Sequence, residues 1–212
     1  MPNLLILLTL PEDVRVQYGE ALAPKFPELT IHTVDHHSRV GPHIADADIM
    51  LTFAPMMSDA VLAEAANLKW IHALGTGVDG VLMLPSLRDD VMLTSTRGIH
   101  GVPMTEMAFM LMLALCRDLP RSLRAQAGGR WERRPARLLE NKTAGIVGVG
   151  LIAEVLAPRL KVFGMEVIGV SRSARPVPGI DRMVSREELP KAAAEMDFLI
   201  ALVPYEDDTR GL

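Results

Sequence analysis

The feature that most constrains this chain is a glycine-rich turn between an apolar strand and a helix. The segment from Thr143 to Val147 predicts a buried strand, and it runs into Gly148-x-Gly150-x-x-Ala153, which we call the fingerprint, and then into an amphipathic helix. The first glycine allows a tight turn, the second lets the backbone approach a diphosphate, and the small third residue lets the helix pack near the strand. This context predicts a dinucleotide-binding site.

The start of the fingerprint helix is predicted to hold the diphosphate of the cofactor. Free backbone amides at a helix N-terminus attract anions, so Gly148, Gly150, Leu151 and Ile152 are the predicted cofactor-binding residues of this turn. The motif by itself is weak, because small residues are common in turns. A second apolar strand at Glu166–Val170 follows at the expected distance and favours nucleotide binding over a chance turn.

The tip of that second strand bears on the choice of cofactor. It reads Ser171-Arg172-Ser173, where an NAD enzyme would place an acid to accept from the ribose 2′-hydroxyl. Arg172 can pair with a 2′-phosphate while the two serines donate hydrogen bonds, and Arg175 could assist. The tip therefore favours NADP(H), with NAD(H) as the alternative; the other interpretation of Arg172 is a solvated arginine in a surface loop.

The chain has an α/β pattern with two predicted domains. Residues 1–98 alternate short apolar strands with helical stretches, which indicates a parallel sheet flanked by helices. Residues 99–212 begin with a long helix opened by Pro103 and interrupted by Pro120, and they contain the fingerprint. A complete doubly wound domain has two βαβαβ halves. Residues 154–212 leave room for about one, so we expect the second domain to be incomplete at its C-terminus.

Composition excludes several classes of function. The net charge is −4, and the basic residues cluster only in an arginine-rich arm, residues 117–137, where Leu119, Leu123 and Trp131 are interleaved. A packing arm is favoured over nucleic-acid binding. The single cysteine, Cys116, lies in an apolar helix and predicts a buried thiol and a reducing, cytoplasmic compartment. No apolar run is long enough to span a bilayer, and no metal site is predicted.

Several motifs occur in one order and resemble those of a known family. They are Gly75-Thr76-Gly77-Val78-Asp79-Gly80, Pro103-Met104-Thr105-Glu106, Trp131, the fingerprint, and Val203-Pro204 with Thr209-x-Gly211-Leu212. The chain resembles the D-isomer-specific 2-hydroxyacid dehydrogenases, and within them the glyoxylate and hydroxypyruvate reductase-like branch. The resemblance implies a flavodoxin-like substrate domain followed by a Rossmann nucleotide-binding domain, with catalysis in the cleft between them.

The resemblance assigns a substrate role to the first of these motifs. Thr76, Gly77 and Val78 would line the cleft, with their backbone amides facing the substrate carboxylate. A glycine-bracketed turn after a buried strand can expose amide donors to an anion. The alternative is a plain strand-to-helix turn with Asp79 as its N-cap, and both can hold together.

The remaining motifs are assigned to the cofactor by the same resemblance. Met104, at the start of the long helix, would approach the nicotinamide, while Glu106 is taken as structural. Val203 and Pro204 would close the third strand of the cofactor domain over the adenosine side, and Thr209 follows in the same loop.

The catalytic residues of the family are an arginine, a glutamate and a histidine, and we expect them to lie beyond Leu212. The Arg-Gly pair at Arg97 precedes the fingerprint and the pair at Arg210 fits the cofactor motif, so neither is taken as the catalytic pair. His72 and His100 are interpreted as packing or surface residues rather than the acid.

The implied reaction is hydride transfer between NADPH and a small 2-oxo acid such as glyoxylate or hydroxypyruvate. The 212-residue polypeptide is expected to be inactive as a fragment. The alternative is a non-catalytic nucleotide-sensing or dimerisation module of the same fold. The apolar helix 103–117 and the arginine-rich arm resemble dimer-forming elements of the family, so a homodimer is expected in either case. A methyltransferase is a weaker rival, since it would not explain the motif at 75–80.

Overall fold

The computed structural model of this chain describes residues 1–173, 175–205 and 208–212. It divides into two compact units, one formed by Met1–Arg97 with Pro204–Leu212 and the other by Gly98–Val203. The predicted boundary lies after residue 98. Residues 204–212, which the sequence analysis placed in the second domain, are grouped with the first unit.

The first unit is built on a parallel five-stranded sheet with the order β2-β1-β3-β4-β5. Its strands are short apolar runs, and neighbouring strands pair in parallel register throughout. The sequence predicts strands at residues 3–8, 30–34, 49–52, 70–73 and 91–94. The first four agree closely with the structure, while the fifth begins and ends one residue later than expected. The strands are β1 Asn3–Leu7, β2 Thr30–Val34, β3 Ile49–Thr52, β4 Trp70–Ala73 and β5 Met92–Ser95.

Both faces of this sheet are apolar, which is the expected pattern when helices cover a parallel sheet. Alternate residues of β1 point to opposite faces, so Leu5 joins one core cluster while Leu4 and Ile6 join another. The helices of the unit are α1 Glu12–Leu22, α2 Gly41–Ile44, α3 Asp59–Glu64 and α4 Asp79–Leu82, with short 3-10 turns at His37–Arg39 and Ala54–Met56.

The second unit contains a parallel four-stranded sheet that holds the fingerprint. Its strands are β6 Thr143–Val147, β7 Glu166–Val170, β8 Arg182–Val184 and β9 Phe198–Ala201. The spatial order β8-β7-β6-β9 corresponds to strands 3-2-1-4 of a doubly wound dinucleotide fold. The α/β class and the Rossmann-type arrangement are thereby confirmed.

Strand β8 was not predicted, because the sequence indicates a Pro-rich loop through Pro176 and Pro178 and then a short helix near residues 187–195. It has three residues, of which only Val184 is buried, so no alternating pattern could reveal it. It forms because β7 offers an unpaired edge, on which Ile168 pairs with Arg182 and Val170 with Val184.

The helices of the second unit are α5 Gly101–Arg117, α6 Leu119–Ala127, α7 Leu151–Val162 and α8 Leu189–Ala193. Two predicted boundaries are corrected. Helix α5 begins at Gly101, before Pro103. The break after it falls at Asp118, whose left-handed φ of 46° ends the helix, whereas Pro120 lies in the first turn of α6, where its missing N–H costs nothing.

Candidate cofactor-binding site

Gly148 is a glycine because the chain itself requires one. Its φ is 97°, a left-handed value that side chains rarely adopt, and an added Cβ would lie 2.8 Å from the carbonyl carbon of Leu202. Its amide donates to the carbonyl oxygen of Val170 at 3.0 Å, which ties the turn to the end of β7. The turn is therefore held from both neighbouring strands, β7 and β9.

Gly150 is a glycine for a different reason. Its φ is −113°, which any residue can adopt, and an added Cβ would meet no atom within 4 Å. The space beside it is open, as the approach of a diphosphate to the backbone requires. Gly150 also precedes α7, and among the described residues no side chain caps this helix. The backbone amides of Leu151 and Ile152, at the start of the helix, can therefore donate hydrogen bonds to a ligand.

The serine–arginine–serine tip lies at the same end of the sheet as the fingerprint. Ser171 follows β7 directly, and its amide donates to the carbonyl oxygen of Val184 at 3.2 Å. Arg172 and Ser173 are exposed at the sheet edge. Carboxyl ends of parallel strands around a switch between strand orders are where open α/β sheets bind ligands. The tip therefore lies at the end of the sheet where this class of fold binds ligands, and its contact with an adenosine ribose stays a prediction.

A contact that the sequence analysis did not anticipate links this loop to the fingerprint helix. Arg175 Nη2 lies 2.5 Å from Glu154 Oε1 and 3.4 Å from the carbonyl oxygen of Val149. Arg175 is 21 positions from Glu154 and 26 positions from Val149 in sequence, beyond the reach of any local spacing rule. Only the fold reveals this contact.

Val203 is brought to the fingerprint by the end of β9. An added Cβ at Gly148 would lie 2.9 Å from Val203 Cγ1, so these two predicted cofactor residues are neighbours. Met104 lies in the first turns of α5, with 39% of its surface exposed. Helix α5 packs on α7 through Gly101, whose added Cβ would lie 2.6 Å from Val155 Cγ2.

Comparison with known proteins decides the family. Residues 109–212 match the family model described as D-isomer specific 2-hydroxyacid dehydrogenase, NAD binding domain. A solved family member from Aeromonas salmonicida is 32% identical, with a TM-score of 0.82, over 98% of this chain and 66% of that one. This chain belongs to the D-isomer specific 2-hydroxyacid dehydrogenase family.

Two further members show the branch that the chain is similar to. The mouse glyoxylate reductase/hydroxypyruvate reductase is 31% identical over 71% of this chain and 48% of its own length. The NADPH-dependent glyoxylate/hydroxypyruvate reductase of Sinorhizobium meliloti, solved with NADP and sulfate, is 25% identical with a TM-score of 0.79, over 100% of this chain and 65% of that one.

Curated dehydrogenases of this family that match the chain carry more than one name. They include D-3-phosphoglycerate dehydrogenase as well as hydroxypyruvate and glyoxylate reductase, and the chain spans between 31% and 55% of their length. Family membership is shared by enzymes for different 2-hydroxy acids, so it does not by itself select the substrate.

The substrate-binding residues that the resemblance predicts lie in the first unit. Thr76, Gly77 and Val78 form the turn between β4 and α4. The N-cap of α4 is Val78 and Asp79 is the first helical residue, without a capping hydrogen bond, so the alternative role of Asp79 as N-cap is wrong. The carboxylate of Asp79 instead lies close to Gly77, where an added Cβ would come 2.7 Å from Asp79 Oδ1.

The last two predicted cofactor residues of the dehydrogenase motif contact each other within the first unit. Thr209 is buried and its hydroxyl donates to the carbonyl oxygen of Pro204 at 2.6 Å. This hydrogen bond closes a turn across a five-residue separation. The structure thus gives Thr209 a local structural role, and its contact with a cofactor stays a prediction.

His72 is one of the two histidines that could be mistaken for the proton donor of the family, and it is held by two threonines. Its Nδ1 lies 2.8 Å from Thr94 Oγ1 and its Nε2 lies 3.1 Å from Thr96 Oγ1. Both ring nitrogens are therefore engaged within the sheet, in agreement with a packing histidine. His100 lies at the start of α5 as its N-cap residue.

Membrane-spanning helices and metal clusters are both absent from the part of the chain that the structure describes. No helix among the described residues is both long and apolar enough to cross a membrane. Across the same ranges, no three His, Cys, Asp or Glu side chains come together in a way that could hold a metal ion.

Proposed function

We propose that this chain binds NADPH at the fingerprint and takes part in the reduction of a small 2-oxo acid, glyoxylate or hydroxypyruvate. The observation that carries the proposal is a pair of features at one end of the second sheet. The fingerprint has an open approach at Gly150, and the neighbouring strand ends in Ser171-Arg172-Ser173 rather than in an acid. The names of the mouse and Sinorhizobium relatives agree with this choice.

Each predicted residue then has a physical role. The amides after Gly150 bind the diphosphate, while Arg172 with Ser171 and Ser173 binds the 2′-phosphate. NADPH supplies the hydride when bound. The amides of the turn at residues 76–78 bind the substrate carboxylate, as the resemblance implies. The resemblance assigns the remaining contacts with the nucleotide to Met104, Val203, Pro204 and Thr209.

Titration of both nucleotides tests this function. The wild-type chain should bind NADPH more tightly than NADH. Arg172→Ala should weaken NADPH by about 1.5–3 kcal/mol, the scale of a hydrogen bond to a charged group, and leave NADH almost unchanged. Arg186→Ala, in the loop after β8, is the matched control and should alter neither affinity. Equal losses for the two nucleotides on changing Arg172 would remove it from the 2′-phosphate site.

We also propose that the chain forms a homodimer through α5 and the arginine-rich arm. Apolar side chains that a monomer would bury are exposed on these elements, and Trp131 has 94% of its surface exposed. Exposed apolar side chains concentrated on neighbouring elements of the sequence favour protein association. The same exposed side chains support the second candidate, a nucleotide-sensing or dimerisation module.

A cytoplasmic location stays a prediction, supported by the single, buried Cys116.

A further inference from the structure

One ion pair joins the fingerprint helix to the loop after β7. The guanidinium of Arg175 contacts both the carboxylate of Glu154 and the carbonyl oxygen of Val149, at 2.5 and 3.4 Å. Glu154 lies in the first turn of α7, and Val149 lies inside the fingerprint. Arg175 thus touches the turn and the helix start at once.

This loop follows one face of α7. Glu154, Pro158 and Lys161 are spaced by four and three residues, so they share a helix face. Gly179 lies against the backbone at Pro158, where an added Cβ would come 2.5 Å from the proline nitrogen. Lys161 Nζ donates to Asp181 Oδ2 at 2.7 Å. The ion pair with Glu154 is the attachment nearest the fingerprint.

The charge of Glu154 has a consequence for ligand binding. A carboxylate in the first turn of α7 stabilises the helix dipole but repels the phosphates of a nucleotide. Arg175 neutralises that charge at the point of contact. With 46% and 37% of their side-chain surfaces exposed, the partners contribute little to folding. The pair therefore serves the placement of the guanidinium more than stability.

We infer that Glu154 is a positioning residue for cofactor choice. Through its ion pair it holds Arg175 beside the fingerprint, where a fixed guanidinium favours the 2′-phosphate of NADPH over the 2′-hydroxyl of NADH. A cation that is already ordered loses less conformational entropy when the phosphate arrives. The inference rests on the proposed function and deepens it, because it adds a carboxylate that acts only through an arginine.

The test measures the ratio of the NADPH and NADH affinities at one ionic strength. Both nucleotides carry the diphosphate, so the ratio cancels any general effect of charge near it. Arg175→Gln should lower the preference for NADPH about tenfold, as expected for a lost charge-assisted hydrogen bond. Glu154→Gln should lower it about threefold, the scale of an exposed ion pair. Lys161→Gln, which breaks the other ion pair on this helix face, should not change it.

The double variant decides whether Glu154 acts through Arg175. In the Arg175→Gln background, Glu154→Gln should have no further effect on the ratio. The separate single variant Arg175→Lys should keep part of the preference that Arg175→Gln loses. An unchanged ratio in the single Glu154→Gln variant, or the same fall with and without Arg175, would overturn the inference. Wild-type chain that binds neither nucleotide would instead reject the proposed function itself.

Discussion

At the scale of single residues, the two glycines of the fingerprint are explained by different physical reasons. Gly148 is required by the fold, since its positive φ and its closeness to Leu202 leave no room for a side chain. Gly150 has an ordinary φ and open space around it. The motif predicts a tight turn at the first glycine and the approach of a diphosphate at the second. The structure separates the two further, because within the chain itself Gly148 has no room for a side chain and Gly150 has.

That separation predicts opposite outcomes for substitutions two residues apart. Gly150→Val should abolish nucleotide binding while the melting temperature stays near wild type, because the new side chain fills only the space for the diphosphate. Gly148→Ala, the matched control, should destabilise the second unit by at least about 1–2 kcal/mol through its left-handed φ. Calorimetry and thermal melting measure both. Normal affinity in folded Gly150→Val protein would refute the interpretation of the fingerprint.

At the scale of elements, α5 presents an apolar stripe that the described chain leaves exposed. Met107, Leu111 and Leu115 recur at four-residue spacing and so share one face, and Leu115 has 72% of its surface exposed. A neighbouring face, about 100° further around the helix, carries Met112 and Cys116 and is buried in the core of the second unit. A helix with apolar side chains on several faces is usually buried on more than one side.

We therefore predict that α5 carries the contact between two copies of the chain. Leu115→Lys should convert a dimer into a monomer in light scattering, because burying an unpaired ammonium is strongly unfavourable. Val16→Lys, at a partly exposed apolar position on α1, is the matched control and should leave the mass unchanged. A wild-type chain that is monomeric at all concentrations tested, or a dimer that survives Leu115→Lys, would contradict the prediction.

At the scale of the whole molecule, the positions of the histidines bear on whether this polypeptide supplies a proton donor for catalysis. All six histidines precede the fingerprint in sequence, and the two nearest to it in sequence are His72, held by threonines, and His100, at the start of α5. Reduction of a 2-oxo acid needs a proton donor for the developing alkoxide, and general acid catalysis typically contributes about 10²–10⁴-fold.

We predict that the purified 212-residue polypeptide binds NADPH without oxidising it in the presence of glyoxylate or hydroxypyruvate. Loss of NADPH absorbance measures the rate, and the mouse glyoxylate reductase/hydroxypyruvate reductase assayed in parallel is the positive control. Turnover near about 1 per second, the low end for typical enzymes, would refute this. His72→Gln and His100→Gln would then identify which histidine supplies the proton.

What the sequence determined by itself is local. Five strands have the predicted bounds, including β6 and β7 on either side of the fingerprint, because short apolar runs between turn residues specify a strand without help from distant parts of the chain. The ordered motifs likewise identified the family, which the comparisons confirm. The roles of individual site residues stay predictions, since motif order alone places no atom.

Only the tertiary structure decided which distant residues meet. Strand β8 exists because β7 has a free edge, and Arg175 meets Glu154 because the loop after β7 lies along α7. The interleaved leucines of the arginine-rich arm predicted packing, yet Leu123 is half exposed within this chain. Periodicity reports that a face is apolar, but what covers that face depends on contacts between elements far apart in sequence, and those contacts exist only once the chain has folded.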